Sequence, residues 1–222
     1  MIVIIDYGMG NVKSVINALE ILGEEVIVSK DYDLIRSADA IILPGVGAFR
    51  DGMKNLDKAG LIPLLNQEVI EKKKPFLGIC LGLQLLAKKS YEHGAYEGLG
   101  WVDGEVTKMG SQDISCKIPH IGWNDIKVLD ESVLFKGLNE GVFYFVHSYS
   151  LVLNIQAQAI MTSTSNHGLE FVSSVRRENI FGVQFHPEKS QFAGLKVLTN
   201  FVKYIKRSNI NKPYNSQKGE SE

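Results

Sequence analysis

Cysteine is scarce in this chain: two residues in 222 cannot form a disulfide framework. Neither Cys80 nor Cys116 stands in the paired Cys and His spacing of a zinc site, so we expect no metal. Free thiols are typical of a reducing compartment, which predicts a cytoplasmic protein. Cys116 lies in a polar, β-like stretch and is expected to be structural.

The sequence also lacks a charge excess and long apolar runs. Its formal net charge is −1, so electrostatics give no reason to expect nucleic acid or an anionic membrane as a partner. No run approaches the roughly 20 apolar residues that span a bilayer. The N-terminal MIVIIDYG is typical of a first strand, not of a signal peptide. With 45% hydrophobic residues, the composition predicts one large soluble domain.

Apolar runs alternate with amphipathic stretches in the first half of the chain. Strands are predicted at 2–5, 25–28, 40–43 and 76–79, and helices at 12–19, 61–71 and from 81 through 88. Alternating strands and helices indicate βαβ units, and fully apolar strands suit a sheet that is covered on both faces. The first half therefore predicts a mostly parallel sheet flanked by helices.

The second half of the chain has a different pattern of predicted secondary structure. Short β-like pieces at 142–146, 158–161, 171–174 and 180–184 are separated by turn residues, which predicts an antiparallel extension of the same sheet. A final helix is predicted at 193–206. We therefore expect one domain over 1–206 and a polar, disordered tail over 207–222.

The segment Gly78-Ile79-Cys80-Leu81-Gly82 has the pattern of a nucleophile elbow. In such a sharp strand-to-helix turn, the central side chain is exposed, and glycines remove Cβ atoms that would collide. The following helix favours a thiolate, and the Leu81 amide is available to stabilise an oxyanion. The alternative is a small cysteine buried in the core.

A cysteine nucleophile needs a base, and His186 in FGVQFHPE is the candidate. Pro187 ends the strand, and Glu188 is close enough to orient the imidazole. The alternative is a solvated histidine at a strand end. Among the other histidines, His93 and His167 are expected in polar loops, whereas His120 and His147 stand in denser contexts that suit a pocket wall.

Three motifs together, GICLGLQLL, PGVGAF and FGVQFHPEKS, resemble those of the class I, triad-type glutamine amidotransferases. IDYGMGNVKSV, PHIGWN and YFVHSYS further resemble the glutaminase subunits of imidazole glycerol phosphate synthases, and the likeness covers about residues 1–206. This resemblance implies an α/β, flavodoxin-like fold, L-glutamine as substrate, no cofactor, and a heterodimer with a (β/α)8-barrel cyclase that receives the ammonia.

The resemblance also implies roles for individual residues. Cys80 would form a thioester with glutamine, His186 would transfer protons, and Glu188 would orient His186. Leu81, Val46 and Gly45 would form the oxyanion hole, although PGVG alone suits a plain strand-end turn. Substrate-binding positions would be Gly47, Gln84, His147, Ser148 and Tyr149, and the partner interface would include Asn11, Trp123 and Lys189.

Alternatives to this function remain open at the level of the sequence. Leu83 and Ser150 depart from common family residues, which leaves room for a paralogue that supplies ammonia for surface-polysaccharide sugars. Proteases and deglycases share the elbow, and a pseudoenzyme is a third class, which the intact triad opposes. The Gly8-x-Gly10 pair suggests a dinucleotide loop, but Lys13 stands where the third glycine is needed.

Overall fold

The computed structural model describes residues 1–10, 12–110, 116–130, 133–138, 140–154 and 158–210. The strands are β1 (Ile2–Ile5), β2 (Val26–Ser29), β3 (Ala40–Gly45), β4 (Phe76–Cys80), β5 (Ala87–Ser90), β6 (Tyr96–Glu97), β7 (Val102–Lys108), β8 (His120–Asp125), β9 (Lys127–Val128), β10 (Val142–His147), β11 (Tyr149–Leu153), β12 (Ile160–Asn166), β13 (Glu170–Arg177) and β14 (Ile180–Val183). The helices are α1 (Val12–Ile21), α2 (Tyr32–Ser37), α3 (Phe49–Lys58), α4 (Leu61–Leu65), α5 (Leu81–Gln84) and α6 (Gln191–Ile210), with a π-helical turn at Asn66–Glu71 and a 3-10 turn at Pro187–Lys189.

The central sheet has eight strands in the order β2-β1-β3-β4-β14-β13-β12-β9. The first five are parallel, and the last three are antiparallel. The predicted parallel sheet with an antiparallel extension is therefore confirmed. In the parallel register, Gly45 lies beside Cys80 and Val183 beside Ile79. The segments that follow β3, β4 and β14 consequently meet at one edge of the sheet.

Helices cover both faces of this sheet, as the apolar strands predict. On one face, Leu19 of α1 and Phe201 of α6 belong to the core cluster that includes Leu77 of β4. On the other face, Leu56 of α3 and Leu64 of α4 belong to the cluster that includes Phe76 of β4. Full burial of side chains of this size stabilises a fold by about 1.5–3 kcal/mol each. No helix within the described ranges is long and apolar enough to span a membrane.

The segment predicted at 142–146 does not extend the central sheet, contrary to expectation. It forms β10, which pairs with β8 in a separate two-stranded ribbon. β11, β7, β5 and β6 form a further four-stranded sheet. The prediction was wrong here because the PHIGWN segment was not recognised as a strand, so the partner of β10 was missing from the sequence-based assignment.

Two helix predictions also need correction. The helix after Cys80 ends at Gln84 instead of reaching Lys88, since residues from Ala87 pair as β5 with β6 and β7. Tertiary pairing thus overrides a helical apolar pattern. The final helix begins at Gln191 and ends at Ile210, so the first four residues of the predicted tail are helical. The rest of that tail, 211–222, lies outside the described residues.

Candidate active site

The nucleophile candidate lies at a strained bend between a strand and a helix. Cys80 ends β4 with φ +55° and ψ −107°, a conformation that residues other than glycine rarely adopt. A Cβ on Gly78 would lie 2.5 Å from the carbonyl oxygen of Gly82, and a Cβ on Gly82 would overlap the carbonyl oxygen of Leu43. The predicted elbow is therefore present, and it needs glycine on both sides because backbone packs on backbone.

The Cys80 side chain lines a cavity of about 490 Å³, although the residue is 95% buried. Its Sγ lies 4.0 Å from the carbonyl oxygen of Val146 and 3.8 Å from Nε2 of Gln184. Helix α5 has little more than one turn, so its dipole is weaker than that of a longer helix. A thiol that faces a cavity in this way can react, which argues against the alternative of an inert core cysteine.

His186 and Glu188 form a buried pair next to this thiol. Nδ1 of His186 lies 2.7 Å from Oε1 of Glu188, and both side chains are 3% exposed. Burial acts to lower the pKa of His186, but the Cys80 thiol and the Glu188 carboxylate outweigh it and raise that pKa to about 10. Nε2 of His186 has no hydrogen-bond partner among the described residues, so it is the ring nitrogen left to exchange a proton with the thiol.

The predicted oxyanion-hole residues lie on two adjacent strand ends. Val46 and Leu81 both line the cavity, and Gly45 lies beside Cys80 in the sheet. The Tyr7 hydroxyl occupies the place where a Cβ on Gly45 would lie, so no side chain fits at that position. This hydroxyl is buried without a hydrogen-bond partner in the described chain, and burial together with nearby Cys80 raises the pKa of Tyr7. The oxyanion role itself stays a prediction.

All of the predicted substrate-binding positions line the same cavity. They are Gly47, Gln84, His147, Ser148 and Tyr149. Nε2 of Gln84 donates to the carbonyl oxygen of Tyr149 at 2.9 Å and to Oε1 of Gln184 at 3.1 Å. The elbow helix and the turn between β10 and β11 are thereby joined across the cavity. The structure brings these residues together, and their individual roles remain predictions.

Two of the predicted interface residues lie near Tyr144, which projects from β10. Trp123 is 48% exposed, and its ring centroid lies 6.0 Å from that of Tyr144. Nζ of Lys189 lies 5.5 Å from the centroid of the same ring, and Lys189 lines the cavity. This half-exposed aromatic and basic surface lies beside the site. The third predicted interface residue, Asn11, is outside the described residues.

Sequence reasoning missed three polar residues of the site. Gln184 contacts Cys80 and Gln84, and its position two residues before His186 in an extended segment was an available signal. Glu92 lines the cavity and accepts a hydrogen bond from the Phe49 amide at 2.7 Å. No local pattern marks Glu92 or Tyr7, because each comes from a loop that only the tertiary fold brings to the site.

Comparison with known proteins agrees with this geometry. A family model described as "Glutamine amidotransferase class-I" matches residues 3–204. The chain belongs to the class-I glutamine amidotransferase family. A glutamine amidotransferase from Thermotoga maritima has a related structure, with a TM-score of 0.63 and 16% identity over 95% of this chain and 85% of that one. At such low identity the likeness establishes the fold alone.

Two relatives of higher sequence identity carry more specific names than the family does. The "Imidazole glycerol phosphate synthase subunit HisH" of Aquifex aeolicus is 52% identical over 201 residues, which are 90% of this chain and 94% of the relative. "Imidazole glycerol phosphate synthase subunit HisH 1" of Campylobacter jejuni (strain RM1221) is 44% identical over 204 residues, which are 91% of this chain and 100% of the relative. These names do not favour the alternative of a paralogue for polysaccharide sugars.

Proposed function

We propose that this chain is the glutaminase subunit of an imidazole glycerol phosphate synthase and hydrolyses L-glutamine to glutamate and ammonia. One observation carries the proposal: a cysteine at a strained bend faces a cavity and raises the pKa of a buried histidine that a carboxylate orients. Such a thiol and imidazole are equipped for acyl transfer through a covalent intermediate.

The reaction follows from the charges of the pair. A pKa of about 10 gives His186 a strong affinity for a proton, so it accepts the proton of the Cys80 thiol. The thiolate attacks the side-chain carbonyl carbon of glutamine, and the amides of Leu81 and Val46 stabilise the oxyanion. His186 then protonates the amide nitrogen, the carbon–nitrogen bond breaks and ammonia leaves. Water, deprotonated by His186, hydrolyses the thioester and releases glutamate and the thiol.

The part of the cavity wall formed by residues 147–149 suits the α-amino acid end of the substrate. His147, Ser148 and Tyr149 line the cavity there, and backbone carbonyl and amide groups are suitable partners for an ammonium and a carboxylate. Gln84 crosslinks this wall to the elbow helix. We therefore assign this backbone to glutamine recognition and the elbow to catalysis.

The proposed partner is a (β/α)8-barrel cyclase that receives the ammonia and forms imidazole glycerol phosphate and an aminoimidazole carboxamide ribotide. Trp123 and Lys189 belong to the docking face, because both flank Tyr144 beside the cavity and Trp123 is half-exposed. Delivery through a docked partner is chemically necessary, since free ammonia at neutral pH is mostly ammonium. The proposed location of the complex is the cytoplasm.

A glutamine-analogue electrophile tests the proposal. The chain would be purified with its cyclase subunit, treated with a chloroketone analogue of glutamine, and digested for mass spectrometry. We expect the label on Cys80 and none in Cys80→Ser, with Cys116→Ser labelled as the matched control. Incorporation of ammonia into the ribotide substrate of the cyclase tests the acceptor. Label on Cys116 alone, or no label in the complex, would overturn the proposal.

A further inference from the structure

Two buried histidines form the wall behind the proposed substrate backbone. His120 begins β8 and His147 ends β10, and the two residues are directly opposite each other in the antiparallel ribbon. They are 3% and 6% exposed, and Nδ1 of His120 lies 3.2 Å from Nε2 of His147. Neither ring nitrogen in this contact can be left without a partner cheaply, so the protons on the two rings must be arranged consistently.

Asn124 determines which histidine donates in this hydrogen bond. Its Oδ1 accepts from the Asp125 amide at 2.9 Å and its Nδ2 donates to the carbonyl oxygen of Asn166 at 2.8 Å, so two backbone partners orient the side-chain amide. The same Nδ2 lies 3.2 Å from Nε2 of His120. Nδ2 is a donor, and Nε2 of His120 must therefore be the acceptor.

The acceptor role of Nε2 in His120 determines the direction of the next two hydrogen bonds. A neutral imidazole with Nε2 as acceptor carries its proton on Nδ1, so His120 donates to Nε2 of His147. His147 in turn carries its proton on Nδ1 and donates to the carbonyl oxygen of Tyr149 at 2.9 Å. We call Asn124, His120, His147 and the Tyr149 carbonyl the histidine relay. Every donor in it points from the ribbon toward the cavity.

Both rings of the relay are neutral at physiological pH. Burial, with nearby His167, lowers the pKa of His120 to about 4. For His147 burial lowers the pKa to about 3, against the hydrogen bond to Tyr149 and together with His120, His167 and His186. Within the described ranges no three His, Cys, Asp or Glu side chains could hold a metal ion, and the relay uses every nitrogen of both rings.

The relay ends at the Tyr149 carbonyl oxygen, which also accepts a hydrogen bond from the elbow helix. The Tyr149 carbonyl accepts from Nε2 of Gln84, Gln84 contacts Oε1 of Gln184, and Nε2 of Gln184 contacts the Cys80 sulfur. The turn of residues 147–149 is thus clamped between the elbow and the relay. If His147 had the other tautomer, a lone pair on Nδ1 would face the carbonyl oxygen, and the turn would have to move.

We propose that Asn124 and His120 are positioning residues for glutamine binding. They touch no substrate; they hold His147 in the single tautomer that donates to the Tyr149 carbonyl, and so they set the shape of the backbone that receives the α-amino acid end of glutamine. This inference rests on the proposed glutaminase function. It assigns a role to Asn124 and His120 that catalysis at Cys80 does not require.

Three variants of the chain, each in complex with the cyclase subunit, separate this role from a structural one. His120→Leu removes the donor to His147, whereas His120→Asn retains an N–H close to the position of Nδ1. Asn124→Asp is isosteric but replaces the donor with an acceptor. We expect the KM for glutamine to rise about 5–20-fold in His120→Leu and Asn124→Asp, which corresponds to the loss of one hydrogen bond. The kcat of both variants should stay within about twofold of the wild type. In His120→Asn the KM should stay within about threefold.

The tautomers provide a readout that does not depend on activity. In the wild-type chain labelled with ¹⁵N-histidine, we expect His120 and His147 to be protonated on Nδ1 and not on Nε2. In Asn124→Asp we expect a proton on Nε2 of His120. A proton on Nε2 of either ring in the wild type would overturn the proposal, as would unchanged KM values in both His120→Leu and Asn124→Asp.

Failure of the relay is distinguishable from failure of the proposed function. If the wild-type complex hydrolyses glutamine and is labelled at Cys80 while the variants keep a normal KM, the glutaminase function is supported and the positioning role of Asn124 and His120 is refuted. If the wild-type complex does neither, the glutaminase function falls, and with it the role assigned to Asn124 and His120, whatever the tautomers. If His120→Leu fails to fold, the isosteric Asn124→Asp still decides the outcome.

Discussion

Substitution of Glu188 by glutamine changes the charge next to His186 with almost no change in shape. Oε1 of Glu188 lies 2.7 Å from Nδ1 of His186, and the other oxygen, Oε2, is buried without a partner among the described residues. A glutamine can therefore keep the hydrogen bond through its carbonyl oxygen. Its amide nitrogen then takes the place of Oε2, where an unsatisfied donor costs about 1–3 kcal/mol.

The electrostatic change is larger. Two unit charges about 4 Å apart attract each other by about 4 kcal/mol at an effective dielectric constant of about 20. At 1.36 kcal/mol per pKa unit, loss of this attraction lowers the pKa of His186 by about 3 units, to roughly 7. The ordinary pKa of histidine is 6.5, and that of His186 in the folded chain is about 10. Protonation of His186 therefore stabilises the fold fully below pH 6.5, and this contribution is lost as the pH rises through about 10.

Three measurements check this prediction. An NMR titration of His186 should show a midpoint about 3 units lower in Glu188→Gln than in the wild type. The loss of unfolding free energy caused by the substitution should be about 3–4 kcal/mol larger at pH 6 than near pH 10, where the unsatisfied donor contributes about 1–3 kcal/mol. The kcat for glutamine should fall about 10²–10⁴-fold, as when other catalytic triads lose their carboxylate.

Glu92 provides the matched control, since its carboxylate lines the same cavity but accepts from the Phe49 amide. Glu92→Gln should leave the His186 midpoint within about 0.5 unit, a shift worth under about 0.7 kcal/mol. A midpoint that stays near 10 in Glu188→Gln would refute the reasoning, because the carboxylate would then not be the charge that holds the proton on His186.

Three further substitutions test contacts that stabilise the fold. Lys74→Met should cost about 3 kcal/mol in urea unfolding, because buried Glu68 keeps only Lys72 as a partner within the described ranges and the carbonyl oxygens of residues 35 and 36 lose their shared donor; loss below about 1 kcal/mol would contradict this. Gly82→Ala should cost more than about 2 kcal/mol, because the new Cβ overlaps the Leu43 carbonyl oxygen, and a normal melting temperature would contradict it. Tyr7→Phe should leave stability unchanged or higher by up to about 1 kcal/mol, because the hydroxyl is buried without a partner among the described residues; a loss above about 1 kcal/mol would show a hidden partner.

Local patterns in the sequence predict the parallel half of the fold and the elbow. The strand at Ile2–Ile5 and the glycines around Cys80 are local features, since apolar periodicity and steric clearance are read within a few residues. The contact of Glu188 with His186 was predictable for the same reason, because the two residues are only two positions apart.

Features that depend on long-range pairing could not be predicted in this way. The strand β5 follows a helical apolar pattern and exists only because β6 and β7 pair with it. Gln184 is 104 residues from Cys80, and Asn124 is four residues from His120 within a strand that was not recognised. The sequence therefore identified the residues that do the proposed chemistry and their local supports, and missed the supports that only the tertiary fold brings to the site, such as Gln184.

The architecture of the site separates the proposed chemistry from recognition. Cys80 ends a parallel strand of the central sheet, Val46 directly follows the next strand, and His186 lies three residues beyond the neighbour on the other side. Sheet register thus sets the distances among nucleophile, oxyanion donor and base. The 147–149 backbone belongs instead to the turn that leaves the β8–β10 ribbon, which pairs outside that sheet. A movement confined to the 147–149 turn, which Gln84 joins to the elbow through Tyr149, would change KM more than kcat. A displacement of the whole ribbon would change both, because the Tyr144 carbonyl oxygen accepts from the His186 amide at 2.9 Å.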